Sequence, residues 1–253
     1  MTSEVGRIGL VGLGSMGMPI ARVLGGAGLD VWAWARRPEV LAEVAAHGVQ
    51  SASSLAEVAA GSDVVIVNVF SDDQLREVAL GPDGIAAHLR PGAVLVNHAT
   101  VRPSTVRELA EQAGARGASV LDAAMSGGPN DIEHGRLVLL VGGDADVLDR
   151  LRPLLARYAD PVLHVGAPGD AQVVKLLNNA LFGANAALVR QIERSATDLG
   201  ADPRLVLPAI AACSGNSYVL GVAVAMGSEI GKSTRLNSSH TVISYAVFCL
   251  KKK

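Results

Sequence analysis

Three glycines near the start constrain this chain more than any other feature. They are Gly12, Gly14 and Gly17, in the run Gly12-Leu13-Gly14-Ser15-Met16-Gly17. An apolar stretch, Ile8-Gly9-Leu10-Val11, leads in, and Pro19-Ile20-Ala21-Arg22-Val23-Leu24 leads out in a helical pattern. The first glycine of such a run makes a tight turn. The second lets backbone approach a pyrophosphate, and the third lets helix pack on strand. The phosphates then meet free N–H groups at the helix N-terminus. A glycine-rich turn alone is a weak signal, but between a strand and a helix it reads as a dinucleotide site. Gly12, Leu13, Gly14, Ser15, Met16 and Gly17 are its expected cofactor-binding residues.

Residues 7–164 alternate strand and helix patterns. Val31 to Trp34 reads as a strand, and Pro38 to Ala46 as a helix with proline in its first turn. Ser53-Ser54 offers an N-cap to the next helix. Val64-Val65-Ile66-Val67 is the apolar run expected of a strand covered on both faces. Ser71-Asp72 starts a further helix. Ala93 to Val96 reads as strand, Pro103 to Ala115 as helix, Ser119 to Leu121 and Leu137 to Val141 as strands. Asp144 caps a helix to about Tyr158. The alternation predicts an α/β fold: an N-terminal Rossmann, doubly wound parallel sheet over residues 1–165. After Gly166 and Gly169 the pattern changes. Ala171 to Leu199 is almost unbroken helix former without proline, and Asp202-Pro203 starts another helix through Ile210. An incomplete all-α domain, for substrate binding and dimerisation, is expected over residues 166–231.

The last stretch fits neither period. Lys232-Ser-Thr-Arg-Leu-Asn-Ser-Ser-His240 and Ile243-Ser-Tyr-Ala-Val-Phe-Cys-Leu-Lys-Lys-Lys253 read as a translated sequencing adapter, with Thr241-Val242 from a variable index. Residues 232–253 are therefore set apart from the fold, as a fusion scar is. The alternative is a native basic tail. On the adapter reading the natural C-terminus is missing, and Cys249 carries no function.

Composition narrows the partners. Net charge is −2 with no long basic block, which argues against nucleic acid and anionic membrane. Cys213 and Cys249 make neither a disulfide framework nor a metal-ligand spacing, so no metal is expected. Met1-Thr2-Ser3-Glu4 lacks the basic and apolar regions of a signal peptide, and no apolar run reaches membrane-spanning length. A cytoplasmic protein is the expectation.

Three constellations carry chemistry. First, the strand Val31-Trp32-Ala33-Trp34 ends in Ala35-Arg36-Arg37. The acid that an NAD-specific fold places there for the ribose 2′-hydroxyl is absent. Two guanidiniums stand where a 2′-phosphate would lie, and Arg binds phosphate bidentately. The inference is NADP(H), with NAD possible and Arg36 ahead of Arg37. A solvated arginine pair is the plainer alternative. Second, Asp122-Ala-Ala-Met-Ser126-Gly127-Gly128 places a hydroxyl and bare N–H groups at a strand end. That concavity suits a carboxylate, although Gly-Gly also makes ordinary turns. Third, Lys175 and Asn179 stand at i and i+4 on the long helix and share a face. Burial lowers a lysine's pKa and suits it to general acid–base work. An exposed helix face with a solvated lysine is the alternative.

Together these motifs, in this order, resemble the β-hydroxyacid dehydrogenases, the group containing 3-hydroxyisobutyrate dehydrogenase and tartronate semialdehyde reductase. The resemblance covers residues 7–229. Gly12 to Pro19 matches the glycine signature. Asp122 to Gly128, with Gly135-Arg-Leu and Val141-Gly-Gly, matches the substrate signature. Gly166-x-x-Gly169 through Asn179 matches the catalytic signature. The resemblance implies that Lys175 exchanges the proton at the substrate oxygen while hydride moves to or from the nicotinamide. It implies that Ser126, Gly127 and Gly128 hold the carboxylate of a small substrate and that Asn179 fixes the hydroxyl or carbonyl. It places Val69, Phe70 and Thr100 against the cofactor, and it implies a homo-oligomer for the full-length protein. A threonine capping the Pro103 helix is the other reading of Thr100.

The sequence departs from the family in places. Ala99 replaces a serine, Ala124-Met125 replaces Pro-Val, and Ala171 replaces a glycine. Pro129-Asn130-Asp131-Ile132-Glu133 differs from the commoner family sequence. His98 and His134 are expected to be structural. An imine reductase is the rival enzyme, and Lys175 argues against it because that group typically lacks this lysine. A catalytically silent dinucleotide-binding fragment is the rival from another class.

Overall fold

The computed structural model describes residues 5–227. The adapter-like stretch 232–253, Cys249 and the first four residues lie outside them. The chain divides into two compact units that meet between Lys175 and Leu176.

The first unit is built on one eight-stranded sheet. Its elements in order are β1 (Ile8–Val11), α1 (Gly17–Gly26), β2 (Val31–Trp34), α2 (Pro38–Ala45), β3 (Gln50–Ser51), α3 (Leu55–Gly61) and β4 (Val64–Val67). Then come α4 (Asp72–Leu75), running into a π-helical turn at Arg76–Leu80, α5 (Ile85–His88), β5 (Val94–Asn97) and α6 (Pro103–Gly114). β6 (Ser119–Ser126), α7 (Pro129–Glu133), β7 (Leu137–Gly142), α8 (Ala145–Leu155) and β8 (Ala159–Gly166) complete the sheet. The long helix α9 (Asp170–Asp198) follows. The strand order is β3-β2-β1-β4-β5-β6-β7-β8.

The doubly wound α/β expectation holds with one reversal. Every pair is parallel except β6 and β7, which are antiparallel. Residues 127–136 between them hold only the five-residue α7, too short a link for a parallel crossover. Strand β8 is the element the periodicity did not reveal. Its sequence, Ala-Asp-Pro-Val-Leu-His-Val-Gly, contains a proline, and most of its side chains are partly or fully exposed. It closes the edge of the sheet, where a proline without a donor is tolerated.

Strand alternation divides the core. Ile8, Leu10, Val64, Ile66, Val94 and Val96 pack on one face with α1 and α8. Val11, Val65, Val67 and Leu95 pack on the other with α3, α5 and α6. Trp32 and Trp34 pack against this second cluster, as their spacing suggests. Each large apolar side chain so buried contributes about 1.5–3 kcal/mol. Serine and aspartate caps start several helices: Ser54 on α3, Ser71 on α4 and Asp144 on α8.

One polar pair lies inside this core. His98 is buried just after β5, and its Nδ1 donates to the Ala123 carbonyl at 2.6 Å. Its Nε2 accepts from the Tyr158 hydroxyl at 2.9 Å. Burial pushes the imidazole down to about 4, so it is neutral, and pushes the phenol up. The histidine is structural, as expected from sequence.

The second unit begins at Leu176. It contains the rest of α9, then α10 (Pro203–Ala211) and α11 (Tyr218–Ala225), started by the side-chain caps of Asp202 and Ser217. Ala186, Val189, Leu207, Val219, Leu220 and Ala223 form its core. Among the described residues no helix is long and apolar enough to cross a membrane.

The His98–Tyr158 pair gives a direct test. Tyr158→Phe strands the buried Nε2 and is expected to cost about 1–3 kcal/mol in urea unfolding. Unchanged stability would mean that the hydroxyl does not satisfy the ring.

Candidate active site

Strands β1, β4, β5 and β6 are parallel neighbours, so their C-terminal ends share one edge of the sheet. The glycine run follows β1, Val69-Phe70 follow β4, Thr100 follows β5, and Ser126 ends β6. The strand order reverses between β1 and β4, and open α/β sheets bind ligands at such a switch point.

A groove of about 330 Å³ opens there. Gly12, Leu13, Gly14, Arg36, Arg37, Val69 and Phe70 line it, along with Trp34, Val40, Gln74 and Glu77. Ser15 lines an adjoining depression with Arg37, Glu39 and Glu43. Met16 precedes α1 and packs partly against the core. Gly17 is buried at the first position of α1.

The glycines have separable reasons. Gly12 has φ +97°, and a Cβ there would meet the Asn68 carbonyl. A Cβ on Gly17 would collide with the Gly12 carbonyl. A Cβ on Gly14 would meet nothing within 4 Å, so that position faces open space. Helix α1 has no side-chain cap and no acid in its first turn, unlike α3, α4 and α8. Its positive end is thus left for an anion. A turn held by Gly12 and Gly17, an open approach at Gly14, an uncapped helix and two exposed arginines fit a dinucleotide with its pyrophosphate at α1. Phe70 is 84% exposed at the groove, and its N–H donates to Gln74 Oε1 at 3.0 Å.

Thr100, Ser126, Gly127, Gly128, Lys175 and Asn179 do not line this groove. A buried polar cluster ties Thr100, the strand ending at Ser126 and the turn carrying Lys175 together. Gln172 is wholly buried in the first turns of α9. Its Oε1 accepts from the Val101 N–H at 3.0 Å, and its Nε2 donates to the Ala99 carbonyl at 3.2 Å. The amide thus clasps the backbone on both sides of Thr100. Nε2 also donates to Asp122 Oδ1 at 2.5 Å, and the Gln172 N–H donates to Oδ2 at 3.2 Å. Asn97 Nδ2 donates to Asp122 Oδ1 at 3.4 Å and to the Ala99 carbonyl at 3.1 Å. Burial pushes the Asp122 carboxyl up to about 6, against the donors that hold it down. Asn97 and Gln172 were not singled out in the sequence. A glutamine inside the apolar run Ala171-Gln172-Val173-Val174 is the signal that was there to find.

Two close approaches fix the start of α9. Gly169 has φ +97°, and a Cβ there would sit 2.9 Å from the Pro103 carbonyl. Ala171 is buried against Ala124 and Leu140. Those two alanines are departures from the family pattern, and they pack on one another. The N-cap residue of helix α6 is Arg102, so Thr100 does not cap it.

Lys175 is partly buried, one turn beyond Gln172. Desolvation alone lowers its pKa. It is the only lysine before residue 232, in a chain with 17 arginines. A solvated surface lysine is poorly distinguished from an arginine, so this selective use is a second signal in the sequence. Asn179 is partly buried on the same helix, in the second unit.

The strand-end concavity carries an unexpected group. The Gly128 N–H donates to Asp131 Oδ2 at 2.7 Å. One of the three anticipated anion donors is therefore engaged by a carboxylate of α7. His134 is exposed, with Nδ1 donating to the Asn130 carbonyl at 2.7 Å.

Comparison with known proteins agrees with this geometry. Residues 7–166 match the family of the NAD binding domain of 6-phosphogluconate dehydrogenase. The 2-(hydroxymethyl)glutarate dehydrogenase of Eubacterium barkeri is 32% identical over 214 residues, which are 85% of this chain and 71% of that protein. The 3-hydroxyisobutyrate dehydrogenase of Pseudomonas aeruginosa is 32% identical over 215 residues, 85% of this chain and 72% of that protein. A solved structure of Psf3 in complex with NADP+ and 2-OPP superposes with a TM-score of 0.77 at 27% identity, over 87% of this chain and 78% of that one. An imine reductase of Streptomyces aurantiacus shares the fold, with a TM-score of 0.71 at 22% identity over 92% of this chain and 78% of that one.

The two buried titrations oppose each other. His98 falls from 6.5 unfolded to about 4 folded, so its contribution is complete above pH 6.5 and is lost as pH falls toward 4. Asp122 rises from 3.8 to about 6, so its contribution is present below pH 3.8 and lost as pH rises through 6. Between pH 4 and 6 the two cancel. Asp122→Asn removes one arm, so the variant is expected to lose about 3 kcal/mol more than the wild type between pH 6.5 and 4. Urea unfolding at several pH values reads this, and parallel profiles would contradict it.

Proposed function

The chain belongs to the β-hydroxyacid dehydrogenase family of NAD(P)-dependent oxidoreductases, and from that premise we propose that it moves hydride between NADP(H) and a small β-hydroxyacid or its semialdehyde. Lys175 carries the reading. It is a selectively used, partly desolvated amine on the turn that Gln172 binds to the sheet edge.

The bound dinucleotide supplies the hydride acceptor in oxidation and the donor in reduction. In oxidation the neutral Lys175 amine takes the hydroxyl proton as the carbon gives up hydride. In reduction the ammonium returns that proton to the carbonyl oxygen. Its lowered pKa brings the neutral form within reach at lower pH than for a solvated lysine. Ser126, Gly127 and Gly128 hold the substrate carboxylate, with the Gly128 N–H shared with Asp131. Asn179 orients the reacting oxygen. Arg36 and Arg37 favour NADP over NAD, because both are exposed at the groove and no acid stands at the end of β2.

Two substitutions test this. Lys175→Ala is expected to lower kcat for NADP+ with 3-hydroxyisobutyrate by about 10²–10⁴, with NADP+ affinity unchanged in a fluorescence titration. Retained turnover would remove the acid–base role. Arg36→Asp is expected to weaken NADP+ binding by about tenfold or more through loss of the phosphate contact and to leave NAD+ binding in place. Equal weakening of both nucleotides would contradict the 2′-phosphate assignment.

A further inference from the structure

Gln172 and Asp122 are both fully buried, and hydride transfer uses neither. A buried carboxylate and a buried amide are costly to keep unless their bonds are complete. Here they are complete, and their partners are not arbitrary. The Gln172 amide engages Ala99 and Val101, the two neighbours of Thr100. Asp122 takes both the side-chain and the backbone N–H of Gln172, and it lies on the strand that ends at Ser126. Residues at i and i+3 share a helix face, so Lys175 follows Gln172 by one turn on the same side. Three segments with roles in the proposed reaction thus converge on one glutamine. A packing role alone is met by an apolar side chain of similar volume.

We propose that Gln172 and Asp122 are positioning residues: their buried contact sets the helix turn bearing Lys175 against the strand ends bearing Thr100 and Ser126. This rests on the reading of Lys175 as the acid–base group. The Asp122 carboxylate grips the Gln172 backbone N–H, which fixes the height of the turn. The Gln172 amide grips Ala99 and Val101, which fixes its rotation. Losing the amide frees the rotation while the Asp122 bond to the backbone keeps the helix docked. An error of about 1 Å in a reacting group costs up to roughly 10²-fold in rate.

Gln172→Asn keeps an amide but is one carbon too short to span Val101 and Asp122, and Gln172→Leu removes the polar contacts altogether. The full chain is reductively ¹³C-methylated, and Lys175 is followed by NMR through a pH titration. The other lysines are Lys232 and the three at 251–253, so a Lys175→Arg sample identifies its signal. In the wild type Lys175 is expected to titrate below an ordinary solvated lysine. In Gln172→Asn it is expected to move up toward the ordinary lysine range, and kcat to fall about tenfold or more with NADP+ affinity unchanged. An unmoved Lys175 titration in a folded Gln172 variant would overturn the proposal. So would failure of both variants to fold, or parallel loss of kcat and NADP+ affinity, since each marks a purely structural role. If Lys175→Ala keeps its turnover while the Gln172 variants still shift the lysine titration, the acid–base reading fails and the positioning stands.

Discussion

The buried contact between Gln172 and Asp122 is the interaction on which the candidate site depends. Without it, the first unit is a nucleotide-binding sheet followed by a helix. With it, one helical turn is tied to β6 and to the segment after β5 through four buried hydrogen bonds. A low-dielectric setting makes each of these bonds stronger and each unmade bond costlier. The chain accepts a carboxyl pushed up to about 6 to have this junction. The buried His98 follows β5 directly and bonds the Ala123 carbonyl of β6 and the Tyr158 hydroxyl, showing the same preference for satisfied polar groups in the interior.

The other end of the sheet edge is open rather than internally bonded. Helix α1 has neither cap nor acid, Gly14 faces open space, and Arg36 and Arg37 are exposed. An uncapped helix N-terminus and paired guanidiniums are groups to which an anion is drawn. The two ends thus follow opposite rules. The end carrying Lys175 is closed and internally bonded, and the amine there is partly out of water. The groove end is open and carries two exposed arginines beside an uncapped helix, which suits the proposed diphosphate site.

Much of this was legible in the sequence, for physical reasons that differ by element. The glycine run could be read because Gly12 and Gly17 each meet a backbone carbonyl that no side chain can share. The strands β1, β4 and β5 could be read because burial on both faces demands unbroken apolar runs. Strand β8 could not, because an exposed edge strand with a proline leaves no alternation to find. The reversal at β7 was hidden in a link length rather than in any residue. Gln172 was passed over because polar residues on a helix are ordinarily solvent-facing, and only the packing of α9 on Ala124 and Leu140 makes it interior. Asp131 was noted as a departure from the family pattern, but its bond to Gly128 depended on the turn geometry of α7.

The central claim is that one amine meets the reactive ring of a nucleotide anchored by the first glycine loop. A crystal structure of the chain with NADP+ measures this directly. Lys175 Nζ is expected within about 4 Å of where a substrate oxygen must sit beside nicotinamide C4, as a near-attack geometry requires. A nicotinamide ring bound with Lys175 turned away from it into bulk water would contradict the account.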